Sequence, residues 1–483
     1  MSKTIPFPIG TVHIIGIGGI GMSGYAELLH NLGYAVQGSD QKESANTDRL
    51  KTLGIRIMIG HAPDNVRDAS GSPCAVVVKS TAVKDSNPEI IAARKMNVQV
   101  IPRVALLAEL MRNKWCINIS GTHGKTTTTS LVGAMLEQAA LSPTVINGGI
   151  INAYGSNTRL GMGKWMVVES DESDGTFAKL PSMVSVITNI DPEHLDYYGT
   201  FDALKQAFLD YVEQLPFYGI AVACSDHPVV RELLPQFKRK TITYGTDDMA
   251  QVKAENIRMT PEGLLFDIKF SPNLMHYPKC LRDVRLPMYG PHNVLNALAA
   301  FAAGHDIGIP AETTAEALSK FSGVKRRFTT TGIVDDITII DDYAHHPAEI
   351  ISVLKAGRQA VSGHSNGRVI AIAQPHRYSR LKSLFDEFCT CFTDADTVIV
   401  ADVYPAGEDP IEGANRDTLA AGIKKTGIKD VRTINGPDEL PALIRDIARP
   451  GDFVIFLGAG NITQWAYALP PALEEMSRKS GTQ

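Results

Sequence analysis

Short apolar runs alternate with stretches of helical periodicity through roughly the first 110 residues of the chain. The runs at 12–15, 35–38, 55–58 and 74–78 have the length and the β-branched content of buried strands. Strands that alternate with helices in this way form βαβ units, which assemble into a parallel sheet. The pattern therefore predicts an α/β domain at the amino-terminal end.

Two further series of the same kind follow along the chain. The second comprises the runs at 115–119, 165–168 and 183–187, and the third those at 337–340, 368–373, 397–401 and 453–457. Between 245 and 287 the pattern becomes polar and alternating, which predicts antiparallel strands appended to the second series. We therefore predict an α/β protein of three domains, at 1–110, 111–324 and 325–483.

The composition of the 483-residue chain is that of a globular protein, with 44% hydrophobic and 20% charged residues. Its net charge of −5 provides no broad basic surface, so neither nucleic acid nor an anionic membrane is an expected partner. Prolines and asparagines interrupt the longest uncharged apolar stretch, 286–304, and we expect no membrane insertion. The six cysteines lack the spacing of zinc or redox sites, which favours reduced, cytosolic thiols.

The first candidate site is the glycine-rich segment GIGGIG at 16–21, which follows a predicted strand and opens a helix pattern. Its glycines let the backbone approach a diphosphate, and the helix N-terminus supplies N–H donors. Asp40, at the end of the next predicted strand, can accept a hydrogen bond from a ribose hydroxyl. The pattern predicts a bound nucleoside diphosphate; its alternatives are NAD, the default for a lone fingerprint, and a tight turn without a ligand.

A second glycine-rich segment, GTHGKTT at 121–127, also joins a predicted strand to a helix pattern and is similar to a phosphate loop. It departs from the standard phosphate loop because Ile119 stands where the first glycine is expected, which implies a shorter loop. Lys125 can neutralise the β- and γ-oxygens of a nucleotide, and the Thr126 hydroxyl can bind Mg²⁺. The segment therefore predicts ATP binding in the second domain.

Carboxylates follow two predicted strands of this second series. They are Glu169, Asp171, Glu172 and Asp174 after the first strand, and Asp191, Glu193 and Asp196, with His194, after the second. The carboxyl ends of parallel strands face the ligand crevice, so both groups should lie beside the phosphate loop. For any single acid, a solvated loop charge is the plainer interpretation. With Lys125 nearby, we expect at least one member of each group to bind a divalent cation.

Ordered motifs lie along essentially the whole chain: GIGGIGMSG at 16–24, GTHGKTT at 121–127, ESDESD at 169–174, TNI at 188–190, GPHNVLN at 290–296, KRRF at 325–328, DDYAHHP at 341–347 and QPHRY at 374–378. Together they resemble the motifs of the Mur ligase family. The resemblance implies a Rossmann-like first domain for a UDP-sugar and a central P-loop ATPase-type sheet for ATP. It also implies a Rossmann-like third domain that supplies the amino acid and closes over the others.

The activity that the resemblance implies is ATP-dependent ligation in the bacterial cytoplasm, with Mg²⁺, as two ions. The motif QPHRYSR at 374–380 is most similar to members that join L-alanine to UDP-N-acetylmuramate in peptidoglycan synthesis. A close rival joins a preformed peptide to the same UDP-sugar. A rival of another class is a nucleotide sensor or dehydrogenase. That function would not explain the glycine-rich segment at 121–127. For the oligomeric state we expect a monomer or a homodimer.

The resemblance also assigns residues to sites. The UDP-sugar site comprises Gly18, Gly19, Ile20, Gly21, Ser39, Asp40, His61 and Ser80. The ATP site comprises Gly121, Thr122, His123, Gly124, Lys125, Thr126, Thr127, Asn293, Asn296, Arg327 and Asp342. The metal ligands are Thr126, Glu169 and His194, and the catalytic residues are Lys125, Glu169, His194 and Arg327. The amino-acid site comprises Tyr343, His345, His346, His376, Arg377 and Arg380.

Several of these residues have a plainer interpretation when the family context is set aside. Asn293 and Asn296, three apart on a helix pattern, could satisfy backbone groups only. The tandem Arg326 and Arg327 are typical of a solvated face, and the two histidines before Pro347 of a turn. One departure from the family pattern is Ala344, where we expect glycine to be frequent.

Overall fold

The structure is a computed structural model and describes residues 9–80, 82–154, 156–173, 175–260, 262–361 and 367–480, without the side chains of residues 20, 196, 479 and 480. It contains three β-sheets whose strands are joined mainly through helices. Three sheet-containing α/β domains confirm the fold class predicted from the sequence. Asp174 and the side chain of Asp196, two of the predicted acids, lie outside the described part of the chain.

In its described residues, the first domain contains five strands and four α-helices. The strands are β1 (Val12–Ile15), β2 (Val36–Asp40), β3 (Arg56–Ile59), β4 (Val76–Lys79) and β5 (Gln99–Pro102). The helices are α1 (Ile20–Asn31), α2 (Ala45–Thr52), α3 (Pro88–Lys95) and α4 (Arg103–Met111). The strand order is β3-β2-β1-β4-β5, and all neighbours are parallel. The order reverses between β1 and β4, so a ligand crevice is expected at their carboxyl ends.

The second domain is built on a ten-stranded sheet. Its strands are β6 (Trp115–Ser120), β7 (Thr144–Ile151), β8 (Ser156–Arg159), β9 (Trp165–Glu169), β10 (Val184–Ile187), β11 (Ile220–Cys224), β12 (Lys240–Gly245), β13 (Val252–Thr260), β14 (Gly263–Phe270) and β15 (Cys280–Leu286). Its helices are α5 (Lys125–Gln138), α6 (Leu195–Tyr198), α7 (Phe201–Glu213), α8 (Pro228–Leu233), α9 (His292–Ile307) and α10 (Ala311–Ser319). The order is β15-β14-β13-β12-β11-β10-β6-β9-β7-β8.

Strands β6, β9, β10 and β11 pair in parallel at the centre of this sheet. Strands β13 and β14 are neighbours, and β14 begins so soon after β13 ends that only an antiparallel pair is possible. This hairpin agrees with the alternating pattern of the sequence. Strand β8 is polar and lies at the opposite edge, where it pairs antiparallel with β7, and its sequence carries no strand signal.

The third domain has a six-stranded sheet of order β16-β17-β21-β18-β19-β20. Its strands are β16 (Thr329–Val334), β17 (Ile337–Asp342), β18 (Val369–Ala373), β19 (Thr397–Ala401), β20 (Asp430–Ile434) and β21 (Phe453–Leu457). Its helices are α11 (Pro347–Val361), α12 (Tyr378–Ser383), α13 (Phe385–Thr390), α14 (Arg416–Lys425), α15 (Leu440–Ile447) and α16 (Ile462–Ser480). Only β16 pairs antiparallel with its neighbour. Strands β18, β19 and β21 are buried along their whole length, as their almost entirely apolar sequences require.

The chain forms two compact units. The first comprises 1–255, 267–282 and 295–322, and the second 256–266, 283–294 and 323–483. Within the first unit, one hydrophobic cluster contains Ile14 of β1, Leu110 of α4 and Val168 of β9. The first two sheets therefore share a core, and the domain bounds drawn from the sequence stay a prediction. No helix among the described residues is long and apolar enough to cross a membrane.

Candidate active site

The phosphate-loop segment joins the end of β6 to the first turn of α5. Gly121 has φ +127°, and a Cβ there would lie 2.2 Å from the Thr188 hydroxyl oxygen. Gly124 has φ +83° and is the N-cap of α5. A side chain at either position would be strained and would also clash with a neighbouring side chain. The segment is therefore a tight loop that exposes backbone at a helix N-terminus, where phosphate oxygens bind.

Two residues after β10 hold this loop in place. The His123 amide donates to Oδ1 of Asn189 at 2.6 Å, and the Asn189 side-chain amide donates to the His123 carbonyl at 3.0 Å. The Thr188 hydroxyl donates to the same carbonyl at 2.6 Å. The loop is therefore held by hydrogen bonds before a nucleotide binds. The sequence contains the signal for this support, the TNI motif, but residue types alone do not show what it contacts.

Lys125 is the first residue of α5 and lies among carboxylates. Its Nζ donates to the carbonyls of Gly121 and Thr122, at 2.5 and 3.1 Å, and to Oε1 of Glu172 at 3.0 Å. Burial lowers the pKa of Lys125, but the neighbouring carboxylates, Glu172 before the others, raise it by a larger amount. The net pKa is therefore above the usual value, and the ammonium group keeps its charge. A charged lysine at this position suits the neutralisation of phosphate oxygens.

The predicted ligands Thr126 and Glu169 are in contact. The Thr126 hydroxyl donates to Oε1 of Glu169 at 3.1 Å, and the Gly148 amide donates to Oε2 of Glu169 at 2.6 Å. Glu169 is the last residue of β9, which pairs with β6 immediately before the phosphate loop. Strand pairing therefore places this carboxylate beside the first turn of α5.

His194, the third predicted metal ligand, belongs to a neighbouring group with Asp171 and Glu172. One ligand atom from each of the three lies within 4.8 Å of the others. Oε2 of Glu172 is buried and accepts no hydrogen bond from any described residue. Burial raises the pKa of Glu172. A divalent cation would satisfy that oxygen, and carboxylate and imidazole donors suit such an ion, so these residues fit a bound metal.

Asp191, another acid near the loop, has protein partners. Oδ2 of Asp191 lies 3.5 Å from Nε2 of His123, and its Oδ1 lies 3.4 Å from Nε2 of His227. The Asp191 amide donates a hydrogen bond to the hydroxyl of Thr122, a residue of the loop, at 2.8 Å. Asp191 therefore helps to shape the loop in this structure.

Asn296, predicted for the nucleotide, packs against the same loop. It is buried, and its Oδ1 accepts a hydrogen bond from the Thr128 hydroxyl at 3.1 Å. A Cβ at Gly124 would lie 2.5 Å from that oxygen. Asn293, in the second unit, donates to the Tyr289 carbonyl at 2.7 Å. The Asn296 side chain therefore packs against the end of the phosphate loop and the first turn of α5, and a plain helix-capping interpretation does not explain this contact.

The first glycine loop joins β1 to α1 and is held by Asp40. Oδ2 of Asp40 accepts a hydrogen bond from the Gly18 amide at 2.8 Å, and Asn46 donates to the Gly18 carbonyl at 2.9 Å. Nearby, the Ser39 hydroxyl contacts His61, and the Ser80 hydroxyl lies 3.8 Å from the position of a Cβ on Gly16. The structure thus brings the predicted UDP-sugar residues to the carboxyl edge of the first sheet.

Arg103 is a candidate that the sequence did not single out. It begins α4, and its Nη1 would lie 2.8 Å from a Cβ on Gly21, while its Nη2 is 3.9 Å from Oδ2 of Asp171. The guanidinium group therefore lies between the first glycine loop and the acids of the second domain. Its position directly after the parallel strand β5 is the signal that could have identified it.

In the second unit, Asp342 ends β17 and is buried. Its Oδ2 accepts a hydrogen bond from the Phe328 amide at 2.7 Å, and its Oδ1 one from the Ala344 amide at 2.8 Å. Burial raises the pKa of Asp342 to about 6, although Arg327 opposes the shift. Ala344 has no positive φ, so this turn does not require glycine.

Tandem arginines flank the ring of Tyr343, which follows Asp342. The guanidinium carbons of Arg326 and Arg327 lie 4.6 and 5.4 Å from the ring centre. Arg326 also donates to backbone carbonyls of the segment 458–460. Arg326 is thus a structural residue, not part of a solvated face, and it holds the loop from which Arg327 extends.

The predicted amino-acid residues form an aromatic row. The rings of Tyr343 and His345 are 5.1 Å apart, and those of His345 and His376 are 5.8 Å apart. His376 stacks on Tyr404, at 5.5 Å and 8°, and Nη1 of Arg380 lies 3.4 Å from Nδ1 of His376. Burial and the neighbouring positive groups lower the pKa of His376 to about 4, so its imidazole is neutral at physiological pH. Tyr404 is a member of this row that sequence reasoning missed.

Arg377 has an unusual backbone. Its φ is +72°, and its amide donates to the Tyr404 carbonyl at 2.9 Å, while the Tyr404 amide donates to the Pro375 carbonyl at 2.8 Å. The backbone amide of His346, another predicted residue of the amino-acid site, donates to Oε2 of Glu349 at 3.2 Å. A strained arginine whose amide is held by a backbone hydrogen bond is typical of a functional site.

Three family models match consecutive parts of the chain. They are described as Mur ligase family, catalytic domain, at 11–115; Mur ligase middle domain, at 119–304; and Mur ligase, glutamate ligase domain, at 326–460. Among curated relatives, the UDP-N-acetylmuramate--L-alanine ligase of Brucella ovis is 56% identical over 98% of this chain and 100% of its own length. That of Rhodospirillum centenum is 53% identical over 99% and 98% of the two chains.

Solved structures give the same result. The UDP-N-acetylmuramate-alanine ligase MurC of Thermotoga maritima matches with a TM-score of 0.80 and 29% identity, over 98% of this chain and 100% of that one. A murein peptide ligase of Psychrobacter arcticus has the same fold, with a TM-score of 0.68 and 24% identity over 96% and 98%. The family models together span most of the sequence, and the chain belongs to the Mur ligase family.

Proposed function

We propose that the chain ligates L-alanine to the lactyl carboxylate of UDP-N-acetylmuramate, with consumption of ATP and release of ADP and phosphate. The curated relatives that cover the whole chain at 53–56% identity carry that activity in their names. The observation that carries the chemistry is the charged Lys125 at a phosphate loop, among carboxylates and His194 that fit a metal-bound triphosphate. The product is a precursor of peptidoglycan.

The reaction needs ATP because a carboxylate is a poor electrophile. The lactyl carboxylate attacks the γ-phosphorus, which yields an acyl phosphate and ADP. The amine then adds to the acyl carbon, and phosphate leaves from the tetrahedral intermediate. Little covalent help from the protein is needed, so catalysis consists of positioning and charge neutralisation.

In the first unit, Lys125 would neutralise the β- and γ-oxygens, while the backbone amides of 121–124 bind the phosphates. Thr126 with Glu169, and His194 with Glu172 and Asp171, would hold Mg²⁺, which we propose as two ions. When bound, the metal withdraws charge from the phosphate oxygens. The first glycine loop, with Asp40, Ser39, His61 and Ser80, would bind the UDP-sugar.

The second unit contains the residues that we propose for contacts with the nucleotide and for binding of the amino acid. Arg327 would pair with the γ-phosphate and Asp342 would anchor the nucleotide. Tyr343, His345, His376, Arg377 and Arg380 would bind L-alanine. Guanidinium groups suit its carboxylate, and a neutral His376 can accept a hydrogen bond from its amine. Exclusion of water protects the acyl phosphate from hydrolysis.

A second candidate function is ligation of a preformed peptide to the same UDP-sugar. The peptide ligase of Psychrobacter arcticus is 24% identical and indicates the fold only. The longer and closer matches are alanine ligases, which favours the free amino acid. We further propose a cytoplasmic location, where ATP and UDP-sugars are available, and a monomer or homodimer.

ADP release, measured with UDP-N-acetylmuramate and Mg²⁺ across a panel of amino acids and short peptides, tests this proposal. We expect release with L-alanine, weaker release with glycine and serine, and a product whose mass equals the UDP-sugar plus alanine minus water. A methyl group discriminates by only ~1–3 kcal/mol, so leakage to glycine is expected. Release with a tripeptide and not with alanine would establish the second candidate instead.

A further inference from the structure

A buried carboxylate with no role in the proposed chemistry lies inside the first domain. Glu89, in the first turn of α3, is fully buried, as are His13 of β1 and Ser39 of β2. Such a carboxylate is costly unless every oxygen is satisfied by hydrogen bonds. Its position was not apparent in the sequence, where it is one glutamate in a short helix.

Glu89 collects donors from several elements. Its Oε2 accepts from the Ser39 hydroxyl at 2.6 Å and lies 3.2 Å from Nε2 of His13. Its Oε1 accepts from the Asn65 side chain at 2.5 Å and from the Ala62 amide at 3.4 Å. Burial raises the pKa of Glu89, but the hydrogen bonds from His13, Ser39 and Asn65 lower it by a larger amount. The net pKa is therefore below the usual value, and the group is an anion.

This arrangement decides which ring nitrogen of His61 carries the proton. Oγ of Ser39 lies 3.1 Å from Nδ1 of His61, and Oε1 of Glu89 lies 3.5 Å from it. The Ser39 hydroxyl has already given its single proton to Glu89, so it can only accept from His61. A neutral His61 must therefore hold its proton on Nδ1, which leaves Nε2 as an acceptor.

The location of His61 connects this network to the ligand. It follows the carboxyl end of β3, at the same edge of the sheet as Asp40 and the first glycine loop. Its side chain is 14% exposed, and no described residue donates a hydrogen bond to Nε2. Ligands of parallel sheets bind at this edge. The uridine part of a UDP-sugar offers two kinds of donor there, the ribose hydroxyls and the uracil N3–H.

We propose that Glu89 is a positioning residue for the UDP-sugar site: through Ser39 it fixes His61 as the Nδ1–H tautomer, so that Nε2 accepts a hydrogen bond from a uridine donor. This inference rests on the proposed function, since it presumes that the first domain binds a uridine nucleotide. Glu89 would not touch the ligand, and its effect would be transmitted by Ser39 and His61.

The first test uses Glu89→Gln in the full-length protein, with UDP as the probe in calorimetric titrations without ATP. We expect the affinity for UDP to fall roughly ten- to hundredfold, because Nε2 of His61 is then no longer fixed as an acceptor for the uridine donor. The KM for UDP-N-acetylmuramate should rise in parallel, while the KM values for ATP and L-alanine stay unchanged. Glu43→Gln, an exposed glutamate of the same domain paired with Lys51, is the matched control.

A spectroscopic measurement separates positioning from a merely structural role. The ¹⁵N shifts of the labelled His61 ring should report the Nδ1–H tautomer in the wild type. In Glu89→Gln they should report a shift toward Nε2–H, because Ser39 is then free to donate to Nδ1. A wild-type His61 that carries its proton on Nε2 overturns the proposal.

Variants of His61 provide a test that does not disturb the buried carboxylate. Glutamine can place an acceptor oxygen near the position of Nε2, whereas asparagine reaches only the position of Nδ1. We therefore expect His61→Gln to keep UDP affinity within a few fold and His61→Asn to lose roughly tenfold. Equal losses in the two variants would contradict the acceptor role. Titrations with 2′-deoxy-UDP and N3-methyl-UDP then identify which donor the acceptor recognises.

The outcomes also distinguish this inference from the proposed function. If the wild type releases no ADP with UDP-N-acetylmuramate, L-alanine and Mg²⁺, the proposed function fails. If it releases ADP and Glu89→Gln binds UDP as the wild type does, only the role of Glu89 fails.

Discussion

The loops at 16–21 and 121–124 each join the end of a parallel strand, β1 or β6, to the first turn of a helix, α1 or α5. Their surroundings differ. At the first loop the Gly18 amide is held by Asp40, and the neighbouring cation, Arg103, comes from α4. At the second, Lys125 is part of the helix itself and lies against Glu172, near Glu169 and Asp171.

This difference indicates that a strand, a glycine loop and a helix are enough for phosphate binding. The charges around them determine whether the phosphate is only held or is transferred. A diphosphate that is only held needs N–H donors and a helix N-terminus. A phosphoryl group that is transferred needs a fixed cation and metal ligands where negative charge develops. The two loops can therefore be separated by mutation.

The largest effect is expected from Lys125→Ala. Loss of the fixed cation should reduce ADP formation by about 10²–10³ in kcat, while the affinity for UDP-N-acetylmuramate stays nearly unchanged. Initial rates of ADP release and calorimetry with the UDP-sugar measure the two quantities. Lys205→Ala, a surface lysine paired with Glu232, should behave as the wild type. Simultaneous loss of both functions in a folded variant would break the division between the loops.

Glu172→Gln should have the next largest effect. It removes a carboxylate that faces both Lys125 and His194, so kcat should fall roughly ten- to hundredfold and more Mg²⁺ should be needed for half-maximal rate. A Mg²⁺ titration of ADP release measures this change, with Glu232→Gln as the control. An unchanged Mg²⁺ dependence would remove Glu172 from the metal site.

Arg103→Ala probes the space between the loops. Its guanidinium group lies beside Gly21 and near Asp171, so we expect the KM for UDP-N-acetylmuramate to rise by roughly tenfold. The KM for ATP should change less. Arg112→Ala removes a more exposed arginine at the end of the same helix and should leave both values unchanged. A larger effect on ATP than on the UDP-sugar would assign Arg103 to the second loop.

Asp40→Asn should have the smallest effect. The amide keeps an acceptor for the Gly18 N–H but loses the charge, so the KM for UDP-N-acetylmuramate should rise by about three- to tenfold. The KM for ATP should not move. Asp48→Asn, an exposed acid of the same domain, is the control. If ATP binding weakens instead, the first loop is not confined to the UDP-sugar.

Much of the fold could be predicted because its strands are buried on both faces. Runs such as 397–401, apolar after its first residue, and 453–457, apolar throughout, coincide with β19 and β21. Strand β8 could not be predicted, since Ser156–Arg159 is polar and forms at an edge by pairing with β7. Where burial does not impose a pattern, the sequence carries no strand signal.

The candidate site divides in a similar way. Lys125, Thr126 and Glu169 could be assigned because they stand at strand ends or beside glycines, and the structure places Thr126 in contact with Glu169. The roles proposed for them, and for the amino-acid residues, stay predictions. Arg103, Glu89 and Tyr404 were missed, because each acts through contacts with residues distant in the sequence.

The sequence by itself determined the three α/β series, the two glycine loops and the family, because periodicity and local spacing are properties of neighbouring residues. Only the tertiary structure decided that Glu172 faces Lys125, that Asp40 holds Gly18 and that Glu89 reaches Ser39. Such pairings depend on strand order, which sets the neighbours of each side chain, and on burial. A buried charged side chain that lacks a partner has a high free energy, so burial requires the pairing.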